Sequence, residues 1–336
     1  MKIKINELQD LCYSALTNVG VKKSDAKIIA DDYIEGSLLG NKTHGLLTFP
    51  HAIEKAKKTK NKKFKIEKKS QSYALINANT QLGQLVAPAA IDLVSNMAKK
   101  YGIAMVGVYN SLPFLRPGSQ AEKIAANDLL GLVLINGGGP LVAAPDSIDK
   151  IISTNPIGFA IPTTKEPIVC DMAISKKAYG EVRLAKLLST KLPADSFIDE
   201  NGKITTNPDD VFAALPFGDY KGFNLGILFE ILTGSLVNFG IGYQKKPTEK
   251  TNKKYKKTFR GALFIAINPK AFTSLTNFKK KNSQFVKEIN SLKKRKGVKD
   301  ILVPGQRSHR HKQQALKRGW LELDEEIIDQ IRKLTS

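Results

Sequence analysis

Pro88-Ala89-Ala90-Ile91-Asp92-Leu93-Val94-Ser95-Asn96-Met97-Ala98-Lys99-Lys100, closed by Gly102, runs straight into Ile103-Ala104-Met105-Val106-Gly107-Val108-Tyr109. The first segment repeats apolar residues at helical spacing, and the second is a β-rich run, so a helix feeds a strand. The same alternation continues downstream. Ser119-x-x-Glu122 has the form of a capping box opening a helix, and Leu130–Asn136 follows as a buried strand. Phe159–Pro162, Ile168–Cys170 and Leu263–Asn268 add strands, and Gly222–Gly234, apolar nearly all round, predicts a helix buried on most sides. Helices alternating with strands define an α/β middle domain with a mixed sheet.

Outward from this block, both ends turn helical. Leu8, Leu11, Cys12, Ala15 and Leu16 recur at helical spacing, a second helix spans Ser24 to Gly40, and a third runs from about Leu47 to Lys58. Near the other end the pattern predicts helices over Ser283–Lys294 and Asp324–Leu334, the latter with three acids in its first turn. The two ends are expected to pack together as one discontinuous helical domain, residues 1–70 with 271–336, around an α/β domain over 71–270.

The chain has 336 residues, 42% of them apolar, enough for a substantial core. Its 53 Lys and Arg against 31 Asp and Glu give a net charge of +22. Only eight of those cations are Arg, whereas phosphate-reading surfaces favour the Arg fork. The excess reads as a lysine-rich composition more than as a binding stripe. The run Lys55–Lys69, with nine Lys, reads as a solvated face. A non-specific polyanion binder using that run with Lys245–Lys257 and Lys279–Lys299 is the competing class; the few aromatics there (Phe64, Tyr255, Phe285) make no stacking platform. No stretch reaches the roughly 20 apolar residues that span a bilayer. The N-terminus lacks a signal-peptide pattern, and the two cysteines, Cys12 and Cys170, exclude a disulfide scaffold; a cytoplasmic protein is expected.

No GxGxxG or Walker pattern occurs, so a Rossmann site is not indicated. Gly137-Gly138-Gly139-Pro140 follows a strand and is either a tight turn or a phosphate cradle. His44, between Thr43 and Gly45, is an acid/base candidate in a polar turn, or a surface or capping histidine; as an exposed imidazole it would titrate near 6.5. Asp171 ends a strand, where α/β proteins place ligand-facing groups or helix caps. Lys221, at the mouth of the apolar helix between Gly218 and Gly222, would suit an anion, or the glycines serve a turn.

Taken together these marks fall in the order of one family. Ser153-Thr154-Asn155-Pro156-Ile157-Gly158-Phe159-Ala160-Ile161-Pro162 resembles the TNPxxxAxP signature of the malate/L-lactate dehydrogenase family, a non-Rossmann group that also holds ureidoglycolate, sulfolactate, diketogulonate and Δ1-piperideine-2-carboxylate enzymes. Thr43-His44-Gly45 resembles its Ser-His-Gly, Asp171-Met172-Ala173-Ile174-Ser175 its DMATS, and Thr205-Thr206-Asn207-Pro208 its TTDP. Tyr220-Lys221-Gly222-Phe223 and Val303-Pro304-Gly305-Gln306 extend the match over nearly the whole chain.

The resemblance implies a non-Rossmann mixed-sheet cofactor domain beside a helical domain made by both chain ends, and a homodimer with the site near the subunit interface. It implies NAD or NADP as cofactor and a hydride exchanged with a small 2-oxo or 2-hydroxy acid, or a cyclic 2-imino acid. His44 would be the acid/base. Cofactor contacts would fall on Asn155, Asp171, Met172, Ala173, Ile174, Ser175, Tyr220, Lys221, Pro304, Gly305 and Gln306, and substrate contacts on Thr43 and Thr48.

Two departures concern the substrate side. The arginine that family members carry four residues after the histidine is Thr48 here, and Leu112 and Pro113 replace a second histidine. Arg116 is the candidate replacement for the lost carboxylate clamp. Asn110-Ser111-x-x-Phe114 and Glu181 are more like the cyclic imino acid reductases, which makes Glu181 a candidate second acid/base. A member that keeps its cofactor site with altered or lost catalysis is the alternative reading.

Overall fold

The computed structural model describes residues 1–245 and 259–335. Residues 246–257 of the basic run from Lys245 lie outside the described residues.

A seven-stranded mixed sheet forms the centre. Its strands are β2 (Lys65–Lys69), β3 (Tyr73–Asn77), β4 (Ile103–Ser111), β5 (Leu130–Ile135), β8 (Ile157–Ile161), β9 (Ile168–Met172) and β12 (Arg260–Ile267), in the order β2-β3-β4-β12-β5-β8-β9. Among the neighbouring strand pairs of this sheet only β3 and β4 are parallel, joined by the crossover helix α4 (Gly83–Tyr101). Period-two alternation assigns the faces. In β12, Ala262, Phe264 and Ala266 pack with α4 and α5 (Pro117–Ala125), whereas Leu263 turns to the opposite core with Phe229. The lysine run becomes the tail of α3 (Phe49–Thr59) and the exposed edge strand β2; lysines on an edge discourage strand addition.

A small sheet, β10 (Phe197–Ile198), β11 (Ala213–Ala214), β6 (Val142–Ala143) and β7 (Lys150–Ile152), extends one end. Elements from both chain ends share a separate core. β1 (Lys2–Lys4) pairs antiparallel with β13 (Trp320–Glu322). Leu8 and Leu16 of α1 (Ile5–Asn18) and Ile29 of α2 (Lys23–Leu38) pack with Ala315 of α9 (Gln306–Arg318) and Ile328 of α10 (Glu325–Arg332). The helix α8 (Leu275–Ser291) has no buried residue and hydrogen-bonds instead at the β8–β9 turn, through Asn282 to the Pro162 carbonyl. It starts eight residues before the sequence pattern predicts because Ser274 caps it, accepting from Asn277 N–H at 3.2 Å.

Two local expectations fail. The segment Ser119–Glu122 is not a capping box: α5 opens at Pro117, Ser119 Oγ donates to the Arg116 carbonyl at 3.0 Å, and Glu122 faces His309. The apolar helix, α7 (Tyr220–Leu232), is not buried on most sides either. Gly222, Gly226, Phe229 and Glu230 face inward, while Leu228 and Ile231 are 48% and 44% exposed.

Candidate active site

The turn bearing His44 is moulded onto α2. A Cβ on Gly36 would overlap the His44 carbonyl, so only glycine lets the turn lie against the helix, and Ser37 Oγ accepts from Leu46 N–H at 3.0 Å. Asn41 Oδ1 accepts from the backbone N–H groups of Thr43 and His44 at 3.2 and 3.0 Å, pinning the turn from inside. Thr43 Oγ1 lies 2.9 Å from His44 Nδ1 and donates to Asn41 Oδ1 at 3.3 Å. The contact engages Nδ1 and leaves Nε2 without a hydrogen bond among the described residues.

His44 lines a cleft of about 310 Å³ with Thr43, Thr48, Pro113, Arg116, Asp171, Met172 and Ala173. The exposed imidazole expected from the polar turn is corrected here. Burial, then the positive charges of Arg116 and Arg183, lower its pKa to about 4, so the ring is neutral at pH 7.

A second cleft of about 280 Å³ adjoins the first and shares Asn41, Arg116 and Asp171 with it. Pro304, Gly305 and Ser308, at the N-terminus of α9, line it with Val169 and Cys170. Gly305, at φ +92°, lies so close that a Cβ would come within 3.1 Å of the Val169 backbone, so this turn presses flat on β9. Asp171 forms the dividing wall. Its Oδ2 accepts from Gly118 N–H at 2.9 Å, and although one edge of the residue opens to solvent, desolvation of the carboxylate raises its pKa to about 6.

Several of the residues expected to contact the cofactor are engaged within the scaffold. Asn155 is fully buried, donating to Glu230 Oε2 at 2.6 Å and the Gly226 carbonyl at 3.2 Å, which ties its loop to α7. Ile174 is core and Ser175 Oγ donates to the Lys177 carbonyl at 2.7 Å. Gln306 Oε1 accepts from Val303 N–H and the Asn290 amide. Tyr220 and Lys221 are exposed at the start of α7, outside both clefts. The N–H groups of Lys221 and Gly222 are taken by the Gly218 and Phe217 carbonyls, so that helix start offers no bare donors at these positions. The glycine run is a turn rather than a cradle: Gly137 and Gly138 N–H go to Asn155 and Asn136 side chains, and a Cβ on Gly138 would overlap the Arg260 guanidinium.

Arg116, the expected carboxylate clamp, lines the cleft with its guanidinium already engaged. It is 4% exposed, and its Nη2 lies 3.4 Å from both Asp32 Oδ1 and Glu35 Oε2 on α2. Glu181, on α6 (Gly180–Leu187), is half-buried and does not line the cleft, whereas Gly180 and Arg183 of that helix do. Arg183 and Arg260 are the functional candidates missed by the sequence reading. Arg260 is separated from His44 by more than 200 residues, and only the antiparallel pairing of β12 with β4 brings it to the cleft. Burial lowers its pKa to about 10, still a cation at pH 7.

A tethered neutral imidazole in a cation-lined cleft, beside a second cleft at a helix N-terminus, suits acid/base chemistry on a small anionic substrate. The model of the malate/L-lactate dehydrogenase family matches residues 3–332, and the chain belongs to that family. It is 34% identical to the malate/(S)-sulfolactate dehydrogenase of Methanothermus fervidus, over 99% of this chain and 97% of that protein. The solved sulfolactate dehydrogenase of Methanocaldococcus jannaschii superposes with a TM-score of 0.86 at 31% identity, covering 99% of this chain and 96% of that one. A further relative, 28% identical over 98% of this chain and 97% of its own length, is the (2R)-3-sulfolactate dehydrogenase (NADP(+)) of Chromohalobacter salexigens.

Proposed function

We propose that this chain exchanges a hydride between NAD or NADP and a small anionic 2-hydroxy or 2-oxo acid, with His44 carrying the proton. The observation that carries this reading is the Nδ1-tethered, neutral His44 in a cleft rich in cations. In the oxidative direction the substrate hydroxyl gives its proton to Nε2 as the carbon gives up hydride; in reverse, the imidazolium returns that proton to the developing alkoxide. The nicotinamide supplies or accepts the hydride when bound. A carboxylate entering the cleft offsets the charges of Arg116 and Arg183, which raises the His44 pKa toward the protonated form that reduction needs.

The residues present fit a dinucleotide. Pro304, Gly305 and Ser308 present a helix N-terminus of thirteen residues to the second cleft, favourable for a pyrophosphate. Asp171, Met172 and Ala173 link it to His44. The hydroxy-acid reading is favoured over a cyclic imino acid because Glu181, which suggested the latter, is off the cleft.

The outward residues of α7, Leu225, Leu228 and Ile231, form with Leu236 an apolar surface that a second copy would cover as a homodimer. Among the described residues no helix is long and apolar enough to cross a membrane. Two free thiols suit a reducing compartment, which supports a cytoplasmic location.

Melting temperature with NADH and with NADPH, followed by nicotinamide absorbance against a panel of 2-oxo acids and cyclic imines, tests the reading. A rise in melting temperature with one cofactor is expected, with turnover of an oxo acid that is lost in His44→Ala while the rise persists. No rise with either cofactor overturns it.

A further inference from the structure

The α6 helix bears a cation whose position the tertiary structure makes specific. Gly180 opens α6 against the His44 turn so closely that a Cβ there would come within 2.8 Å of the Thr43 Cβ. That contact fixes which face of α6 looks into the cleft. Residues three apart share a helix face, so Arg183 follows Gly180 into the cleft and both line it. Glu181, about 100° round the helix from Gly180, turns away.

Arg183 differs from the other guanidinium groups of the cleft. Arg116 is held by Asp32 and Glu35 on α2. Arg260 is part-buried, with its guanidinium against the Gly138 turn, and donates to the Phe259 carbonyl at 3.3 Å. Arg183 is exposed and has no hydrogen bond or ion pair among the described residues. Lys55 adds a further cation to the lining, and Asp171, already bonded to Gly118, is its one acid. A single substrate carboxylate lying deep, near Arg260, leaves the rim cation without a counter-charge. Thr48, which lines the same cleft, cannot take that role because its hydroxyl is neutral and donates to the Gly45 carbonyl at 3.3 Å.

We propose that Arg183 is a specificity-determining residue that binds a second anionic group on the substrate, distal to the reacting carbon, so that the cleft selects dianionic 2-hydroxy or 2-oxo acids over monoanionic ones. The planar fork of the guanidinium suits a carboxylate or sulfonate oxygen pair at the rim. The inference rests on the hydroxy-acid oxidoreductase reading and deepens it by naming the substrate class.

The test compares wild type, Arg183→Ala and Arg183→Lys in steady-state kinetics with oxaloacetate and pyruvate, using the cofactor that stabilises the protein. Arg183→Ala should lower the oxaloacetate-to-pyruvate ratio of kcat/KM by about 10- to 100-fold, the weight of one charge-assisted contact, chiefly through KM. Arg183→Lys should restore part of that ratio, because it returns the charge without the fork. An equal fall for both acids, or an unchanged ratio, overturns the proposal. If no acid is turned over, the reaction reading fails and binding decides the inference separately: with cofactor present, succinate should raise the melting temperature of wild type more than butyrate does, and Arg183→Ala should erase the difference. Equal shifts in wild type overturn the proposal.

Discussion

Thr43 Oγ1 and His44 Nδ1 lie 2.9 Å apart, and Asn41 Oδ1, 3.3 Å from the same hydroxyl, ties the pair into the turn. The sequence places the two residues side by side; the contact orients the imidazole. Thr43→Val should keep the fold and cofactor stabilisation while lowering kcat about 10- to 100-fold, as expected for losing one orienting hydrogen bond. Thr43→Ser should retain most of the rate. Stopped-flow reduction in both variants separates this from a change in cofactor release.

The His44 pKa of about 4 makes a stability prediction. The unfolded chain binds a proton at this histidine near pH 6.5, and the folded chain binds it only near 4. Between those values the unfolded state holds more protons, so the contribution of this group to stability falls as pH drops from about 6.5 to 4 and levels off below. Urea melts across that window should show a shallower pH dependence in His44→Asn than in wild type. Parallel curves would contradict the assigned direction.

Arg116→Met should destabilise the protein by about 3–5 kcal/mol, because it strands the buried Asp32 carboxylate, 5% exposed, without its cation. Burial already raises the Asp32 pKa against the pull of Arg116. Urea denaturation at pH 7 reads the loss. A drop only in substrate affinity, with unchanged stability, would return Arg116 to the role of substrate clamp.

Gly180→Ala forces a side chain onto Thr43. Overpacking of this kind costs about 1–3 kcal/mol, and the displaced turn carries His44 with it. A fall in kcat larger than that in Thr43→Ser is expected, measured beside the melting temperature.

The outward face of α7 predicts the oligomeric state. Leu228→Glu should convert a homodimer to monomer in light scattering after size exclusion, since a carboxylate would face an apolar partner surface. Monomeric wild type at micromolar concentration would refute the assembly.

The local chemistry of this protein is legible in the order of its residues. The helix-to-strand alternation from Pro88 to Asn136 named the α/β class, and the runs around His44, Asn155, Asp171 and Pro304 placed the chain in its family. These are short-range signals, carried by neighbours in the chain. The pattern is least informative where a residue's role depends on what packs against it. Asn155 sits in the signature run yet is a buried strut to Glu230, and the all-round apolar pattern of α7 does not distinguish a buried helix from one with a bare face. The capping-box pattern at Ser119 was overridden by Pro117 and by the pull of Asp32 and His309.

Which charges reach the imidazole is set by how distant segments fold together. Arg260 arrives on β12, inserted between β4 and β5, and Arg183 through the close approach of Gly180 to Thr43. Arg116 is drawn off to α2 because its neighbours there are carboxylates in a low-dielectric interior, where an unpaired ion is costly. Coulombic and desolvation energies depend on distance through space, and a linear sequence does not contain that distance.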